Sequence, residues 1–161
     1  NFNSVYDDVV PAFERWISRG LKIFIYSSGS IEAQKLLFEF SDKGNLLKVK
    51  SLSTFFYFLY RIKKKYKLVW NFLPIKYLSG HFDTTIGLKV ESKSYENILD
   101  CLKKTSDQVL FLTDMIREVE AAKKVGMNVC LIRREDNPDK ELKDHDWASD
   151  FTFIQKNKSN Y

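Results

Sequence analysis

Acidic residues are missing from the whole stretch between Lys43 and Phe82. Elsewhere the 161-residue chain is well supplied with them, and its formal net charge of +5 has a local source. Eight of its 26 basic residues lie between Leu47 and Ser79, and the rest of the chain is mildly acidic. The basic whole-chain balance is therefore poor evidence for nucleic-acid binding. Cysteine is scarce: Cys101 and Cys130 have no CxxC spacing and no His-rich neighbourhood, which argues against a zinc site or a disulfide framework. Both are expected to be small core fillers in a reduced, cytosolic protein. Long hydrophobic runs are absent too. The longest uncharged part of the basic stretch, residues 51–60, falls short of the roughly 20 residues a transmembrane helix needs. No initiator Met, apolar leader or basic targeting segment is present, so the expectation is a fragment with no sign of secretion or import.

What is present reads as alternating strands and helices. With 44% hydrophobic and 15% aromatic residues the chain can build one core, and a single domain is expected. Residues 12–20 have apolar side chains at helical spacing behind Pro11 and stop at Gly20, which predicts a short amphipathic helix. Residues 21–26 (LKIFIY) have the composition of a buried strand. They run into Ser27-Ser28-Gly29-Ser30, and residues 31–40 (IEAQKLLFEF) return to a helical period. A polar turn joining a strand's carboxyl end to a helix's amino end is where α/β proteins hold anions, because free N–H groups and the helix dipole face the ligand.

The same grammar predicts helices over 94–104 and 117–124, strands over 109–113 (VLFLT) and 128–132 (NVCLI), and a further short strand over 151–154 (FTFI). Such alternation implies a Rossmann-like α/β fold, a parallel sheet with helices on both faces. Ser27 and Asp114, each just past a strand, should then face one crevice. Residues 47–79 break the pattern. They hold nine of the chain's 24 aromatic residues and no Asp, Glu or Gly. A basic, aromatic insertion that meets RNA or a membrane surface has this composition, although no motif accompanies it.

Four segments carry a more specific signal: VYDDV at 5–9, IYSSGSIEAQKLLF at 25–38, GHFDT at 80–84 with KVES at 89–92, and FLTD at 111–114 with Arg117, Glu118, Ala121 and Ala122. In this order and spacing they resemble the enolase-phosphatase E1 family of haloacid-dehalogenase-like hydrolases, over about residues 5–46 and 80–155. In that family GHFDT follows closely on the segment ending here near Leu47. Residues 47–79 therefore look like an insertion, or a retained-intron segment, since their composition is what A/T-rich codons specify.

The resemblance implies a magnesium-dependent phosphatase of methionine salvage. It would convert a 2,3-diketo-5-methylthiopentyl 1-phosphate to an acireductone by enolisation and dephosphorylation. Ser27 would hydrogen-bond the phosphoryl group, with Ser28 and the Gly29 backbone beside it; a helix cap is the plainer role for such a serine. Lys89 would neutralise phosphate oxygens in catalysis and substrate binding. Asp114 would be a magnesium ligand, and Glu118 either a second one or a charge in the first turn of its helix. His81 and His145 read as hydrogen-bonding or surface residues. The expected substrate is a small phosphorylated diketone, with neither nucleic acid nor membrane as partner, and the expected protein is a monomer of the cytoplasm and also of the nucleus.

The departure is at the family's first motif. There a DxD-like or DxE-like pair on the first strand supplies the nucleophile and the general acid/base, and nothing in this chain matches it. Asp7 and Asp8 match a segment after the family's cap domain and are not substitutes. The expectation is an incomplete core, inactive by itself, with two strands left without their shared neighbour. Two other readings remain: a non-catalytic phosphate-binding remnant, and a basic protein that uses residues 47–79 on RNA or anionic membranes.

Overall fold

The computed structural model describes residues 4–47, 77–134, 145–152 and 154. Most of the segment read as an insertion lies outside the described residues. Its ends do not. Tyr77 and Leu78 are buried beside Leu46, and the Ser79 N–H donates to the Ile23 carbonyl at 2.7 Å. These three residues are the lead-in to a strand of the fold.

Helix α1, Val9–Ser18, buries Val9, Ala12 and Phe13. It starts ahead of Pro11, which sits in the first turn, where its missing N–H removes no intrahelical bond. Strand β1, Phe24–Tyr26, is shorter than the apolar run suggests. Helix α2, Ile31–Glu39, follows the serine-rich turn. Strand β2, Gly80–Phe82, pairs parallel to β1 with Ile25 opposite His81. After a 3₁₀ turn at Thr84–Ile86 come helix α3, Ser92–Leu102, strand β3, Leu110–Thr113, helix α4, Ile116–Lys124, and strand β4, Asn128–Ile132. Strand β5, Trp147–Ala148, closes the order.

Among the described residues all pairings between strands are parallel, and they form two half-sheets, β1-β2 and β3-β4-β5. Among the described residues no ladder joins β1 to β3, as expected if the strand between them is missing. The covering layers nevertheless span both halves. On one face Tyr26 and Phe82 from the first half-sheet and Phe111, Val129 and Leu131 from the second pack on Tyr95, Ile98, Val119 and Ala122 of α3 and α4. On the other face Trp16 of α1 and Phe151 contact residues of both halves.

Two expectations are corrected. Residues 151, 152 and 154 are not in a strand: Phe151 and Ile154 do enter the core, but the chain turns at Asp150, whose Oδ1 accepts the Thr152 N–H at 2.7 Å. The Phe151 N–H is held by Asp8 Oδ2 at 2.7 Å, which takes it from any ladder. Cys101 is exposed rather than a core filler. The core stripe of α3 runs through Tyr95, Ile98, Leu99 and Leu102, and Cys101 falls beside it.

Candidate active site

The carboxyl ends of β1 and β3 carry the residues singled out by sequence. Past β1, the Ser27 hydroxyl accepts the Gly29 N–H at 3.2 Å, which folds 27–30 into a tight turn. The cap of α2 is Ser30, whose hydroxyl accepts the Ala33 N–H at 3.2 Å. Capping is therefore not the role of Ser27, which is half-buried, while Ser28 is exposed. The turn is fixed to β2 by Gln34, a buried polar residue on the inner side of α2. Its Nε2 donates to the carbonyls of Gly29 and Phe82 at 3.0 and 2.9 Å. With both amide protons used, its Oε1 accepts from His81 Nδ1 at 3.1 Å, so the neutral imidazole carries its proton on Nδ1. Burial, helped by the Lys35 charge, holds the imidazole below its ordinary pKa of 6.5.

Lys89 reaches the same end of the fold from the segment between β2 and α3. Its Nζ donates to Glu118 Oε1 and Oε2 at 3.2 and 3.0 Å and lies 5.6 Å from the centre of the Tyr26 ring. The surrounding backbone is tied down carbonyl by carbonyl. Tyr26 donates to Gly87, Ser94 to Leu88, Tyr95 to Lys89 and Asn97 to Ile86, at 2.7, 2.7, 2.6 and 3.0 Å. Burial, with the Glu118 charge nearby, pushes the Tyr95 hydroxyl well above its usual pKa, so it remains a donor.

Glu118 is buried and also accepts from the Thr113 hydroxyl at 2.6 Å. That hydroxyl in turn accepts the Met115 N–H at 3.2 Å, leaving Asp114 projecting from the loop between them. Asp114 is exposed, and among the described residues its carboxylate has no partner. It lines a cleft of about 550 Å³ together with Thr113, Leu112, Ile132, Arg134, Phe151, Tyr6 and Val9. Ser27 is not in that lining. The structure thus joins Lys89, Glu118 and Thr113 directly, sets the Lys89 ammonium over the ring of Tyr26, the residue before Ser27, and leaves Asp114 on the cleft side.

The cleft wall contains a pair that sequence reasoning missed. Arg134 Nη1 and Nη2 donate to both carboxylate oxygens of Asp8, at 2.9 and 3.0 Å, and the guanidinium lies 3.8 Å from the centre of the Tyr6 ring. Burial works to raise the Asp8 pKa, but the Arg134 hydrogen bonds, the Phe151 N–H and the Arg134 charge outweigh it and hold the carboxyl below its ordinary 3.8. Because the partners are 126 residues apart, no spacing rule reveals them. Gln34 had a signal, an amide where α2 should present an apolar side chain.

Magnesium fits part of this arrangement. It takes one or two carboxylates along with phosphate and water oxygens. Asp114 offers an accessible carboxylate with no partner among the described residues; Glu118 is engaged by Lys89 and Thr113, which suits a counter-ion to Lys89 rather than a direct ligand. Among the described residues there is no cluster of three or more metal-binding side chains, so a bound ion would draw further oxygens from elsewhere.

No family model matches the chain. It is 30% identical in sequence to the UTR4 protein of Saccharomyces cerevisiae, whose solved structure superposes with a TM-score of 0.63 over 92% of this chain and 56% of that one. A protein from Thermococcus onnurineus whose solved structure is described as that of an HAD phosphatase shares the fold with a TM-score of 0.64 at 19% identity, over 94% and 57% of the two chains. The fold is thus that of the haloacid-dehalogenase-like hydrolases. Within that class the resemblance is to proteins named enolase-phosphatase E1. The Anopheles gambiae protein is 45% identical over 83% of this chain, and the Danio rerio protein 43% identical over 88%. The chain spans 36% and 44% of those two relatives.

Proposed function

We propose that the chain is the phosphate- and magnesium-binding part of an enolase-phosphatase, and that by itself it is inactive. The carrying observation is the Lys89–Glu118–Thr113 cluster, which links Tyr26 at the end of β1, through the Lys89 ammonium over its ring, to Thr113 at the end of β3, two strands with no ladder between them among the described residues. In phosphoryl transfer the protein mainly places the reacting groups and neutralises charge. Lys89 is poised for that: Glu118 holds its ammonium in place, and the fixed backbone at 86–89 limits its wandering. The Ser27 hydroxyl, with its proton free of the α2 cap, is available to donate to a phosphoryl oxygen. Asp114 would hold magnesium, which supplies a positive charge that polarises the phosphoryl group. A solved relative of the same fold from Bacteroides thetaiotaomicron is described as a complex with magnesium and inorganic phosphate, which supports this choice of ion.

The substrate proposed is the diketo methylthiopentyl phosphate of methionine salvage, and the resemblance to enolase-phosphatase E1 supports it. The attacking carboxylate would come from a motif-one strand outside this chain. The test joins the part of the Danio rerio relative that the match does not cover to this chain and assays phosphate release from that substrate. Release by the joined protein and none by the chain alone is expected. Turnover by the chain alone, abolished by a magnesium chelator, would mean the nucleophile lies within it.

A further inference from the structure

We infer that Gln34 is a positioning residue for the proposed phosphate-binding turn: its side-chain amide, oriented by His81, holds residues 27–29 in the shape that leaves the Ser27 hydroxyl proton available to a phosphoryl oxygen. The inference rests on the reading of Ser27 as a phosphate donor, and it adds to that site a residue that acts through Ser27 rather than on the ligand.

The hydrogen bonds around Ser27 close a ring. Its N–H donates to the Phe82 carbonyl at 3.2 Å, and its hydroxyl oxygen accepts the Gly29 N–H at 3.2 Å. Gln34 Nε2 donates to that same Phe82 carbonyl at 2.9 Å and to the Gly29 carbonyl at 3.0 Å. One amide thus ties together the two residues that Ser27 itself bonds. The Ser27 oxygen is occupied by Gly29, and among the described residues no protein group takes the hydroxyl proton.

The position calls for an amide. Gln34 is buried, and an aliphatic side chain in its place would leave the Gly29 carbonyl without this donor, while a carboxylate would set oxygen against oxygen. Nor is the amide free to turn over. His81 Nδ1 donates to Gln34 Oε1 at 3.1 Å; reversal would press Nε2 against that proton and Oε1 against two carbonyls. The start of α2, by contrast, is held without Gln34. Ser30 accepts the Ala33 N–H, and Asp83 Oδ2 accepts the Ile31 N–H at 3.3 Å. Loss of the Gln34 amide should therefore loosen the turn before it loosens the helix.

The experiment titrates the full chain with inorganic phosphate in the presence of magnesium and follows the backbone amide resonances of residues 27–29 by NMR. Saturable shifts are expected there in the parent chain. Gln34→Met keeps the length and removes both donors, and should weaken phosphate by more than about fivefold. In a Ser27→Ala background the same change should alter affinity by less than about twofold. An amide serving the fold alone would weaken both backgrounds alike. His81 gives a second pair of variants away from the buried position, and that pair decides alone where Gln34→Met fails to fold. His81→Asn, whose side-chain amide can donate in place of Nδ1, should bind as the parent does, and His81→Leu should lose about as much as Gln34→Met. Parent-like affinity in Gln34→Met or His81→Leu, or equal losses with and without the Ser27 hydroxyl, would overturn the inference and leave the phosphate site standing. An absence of shifts at 27–29 in the parent chain would instead remove the phosphate reading of Ser27, and this inference with it.

Discussion

The Lys89 ammonium lies 3.0 Å from the carboxylate of Glu118, whose side chain is only 9% exposed. Glu118→Gln keeps an acceptor for Thr113 and removes the charge that holds Lys89. Loss of one partner from a largely buried, hydrogen-bonded pair should cost about 1–3 kcal/mol. Thermal unfolding should show a lower midpoint for Glu118→Gln and for Lys89→Met, with the double variant losing less than the sum. Additive losses would show that the pair does not act as one unit.

Gly87→Ala should destabilise the segment that presents Lys89. Gly87 has φ +132°, and an added Cβ would meet the Ser94 hydroxyl at 2.1 Å. That hydroxyl is already committed to the Leu88 carbonyl. Backbone strain alone is worth about 1–3 kcal/mol. Adding Ser94→Ala removes the hydroxyl clash and leaves the φ penalty, so denaturant titration should show partial recovery in the double variant. Full recovery would mean that φ carries no cost.

Asp8 gives the fold an acid-sensitive joint. Its carboxyl titrates below the unfolded value in the folded chain, so its contribution is fully present above that value and is lost as pH falls through the folded pKa. Unfolding followed between neutral pH and the acid side of the carboxylate range should show a steeper loss for the parent chain than for Asp8→Asn. At neutral pH Asp8→Asn should be the less stable, because it leaves Arg134 without its counter-ion. Parallel pH profiles would contradict the assignment.

Much of this was legible in the sequence where periodicity and local chemistry coincide. Residues 128–132 form β4 as read, and helices α2 and α4 lie within a residue of their expected bounds. What stayed hidden depended on distant partners. Gly80–Phe82 is too short to advertise itself as a strand and exists because β1 offers it an edge. Phe151 looks like a strand residue, but its N–H is claimed by Asp8, 143 residues earlier. Within the site, Lys89 and Glu118 were singled out separately; their bond to each other follows from packing α4 against the Lys89 segment. A helix cap is the plainer sequence reading of Ser27, and Ser30 fills that role.

The boundary of the aromatic-basic segment matters for engineering. Removing residues 48–76 and bridging the ends with about three flexible residues should raise soluble yield, because the eight cations of that stretch have no acid within it to offset them. Deleting 47–79 instead takes away Tyr77 and Leu78, both buried, and should cost about 3–5 kcal/mol or more. Soluble expression and circular dichroism of the two deletions side by side settle which residues belong to the fold. Loss of folding in the shorter deletion would make the segment part of the domain.

The central claim assigns different work to Asp114 and Lys89, and the sharpest measurement is a magnesium titration of phosphate release by the chain joined to the missing part of its Danio rerio relative. Asp114→Asn should raise the magnesium concentration needed for half-maximal release by more than roughly tenfold and lower turnover as well. Lys89→Ala should cut turnover by roughly 10²-fold or more while leaving the magnesium midpoint within about threefold of the parent. Equal shifts of the magnesium midpoint in both variants, or a parent activity indifferent to magnesium, would contradict the account.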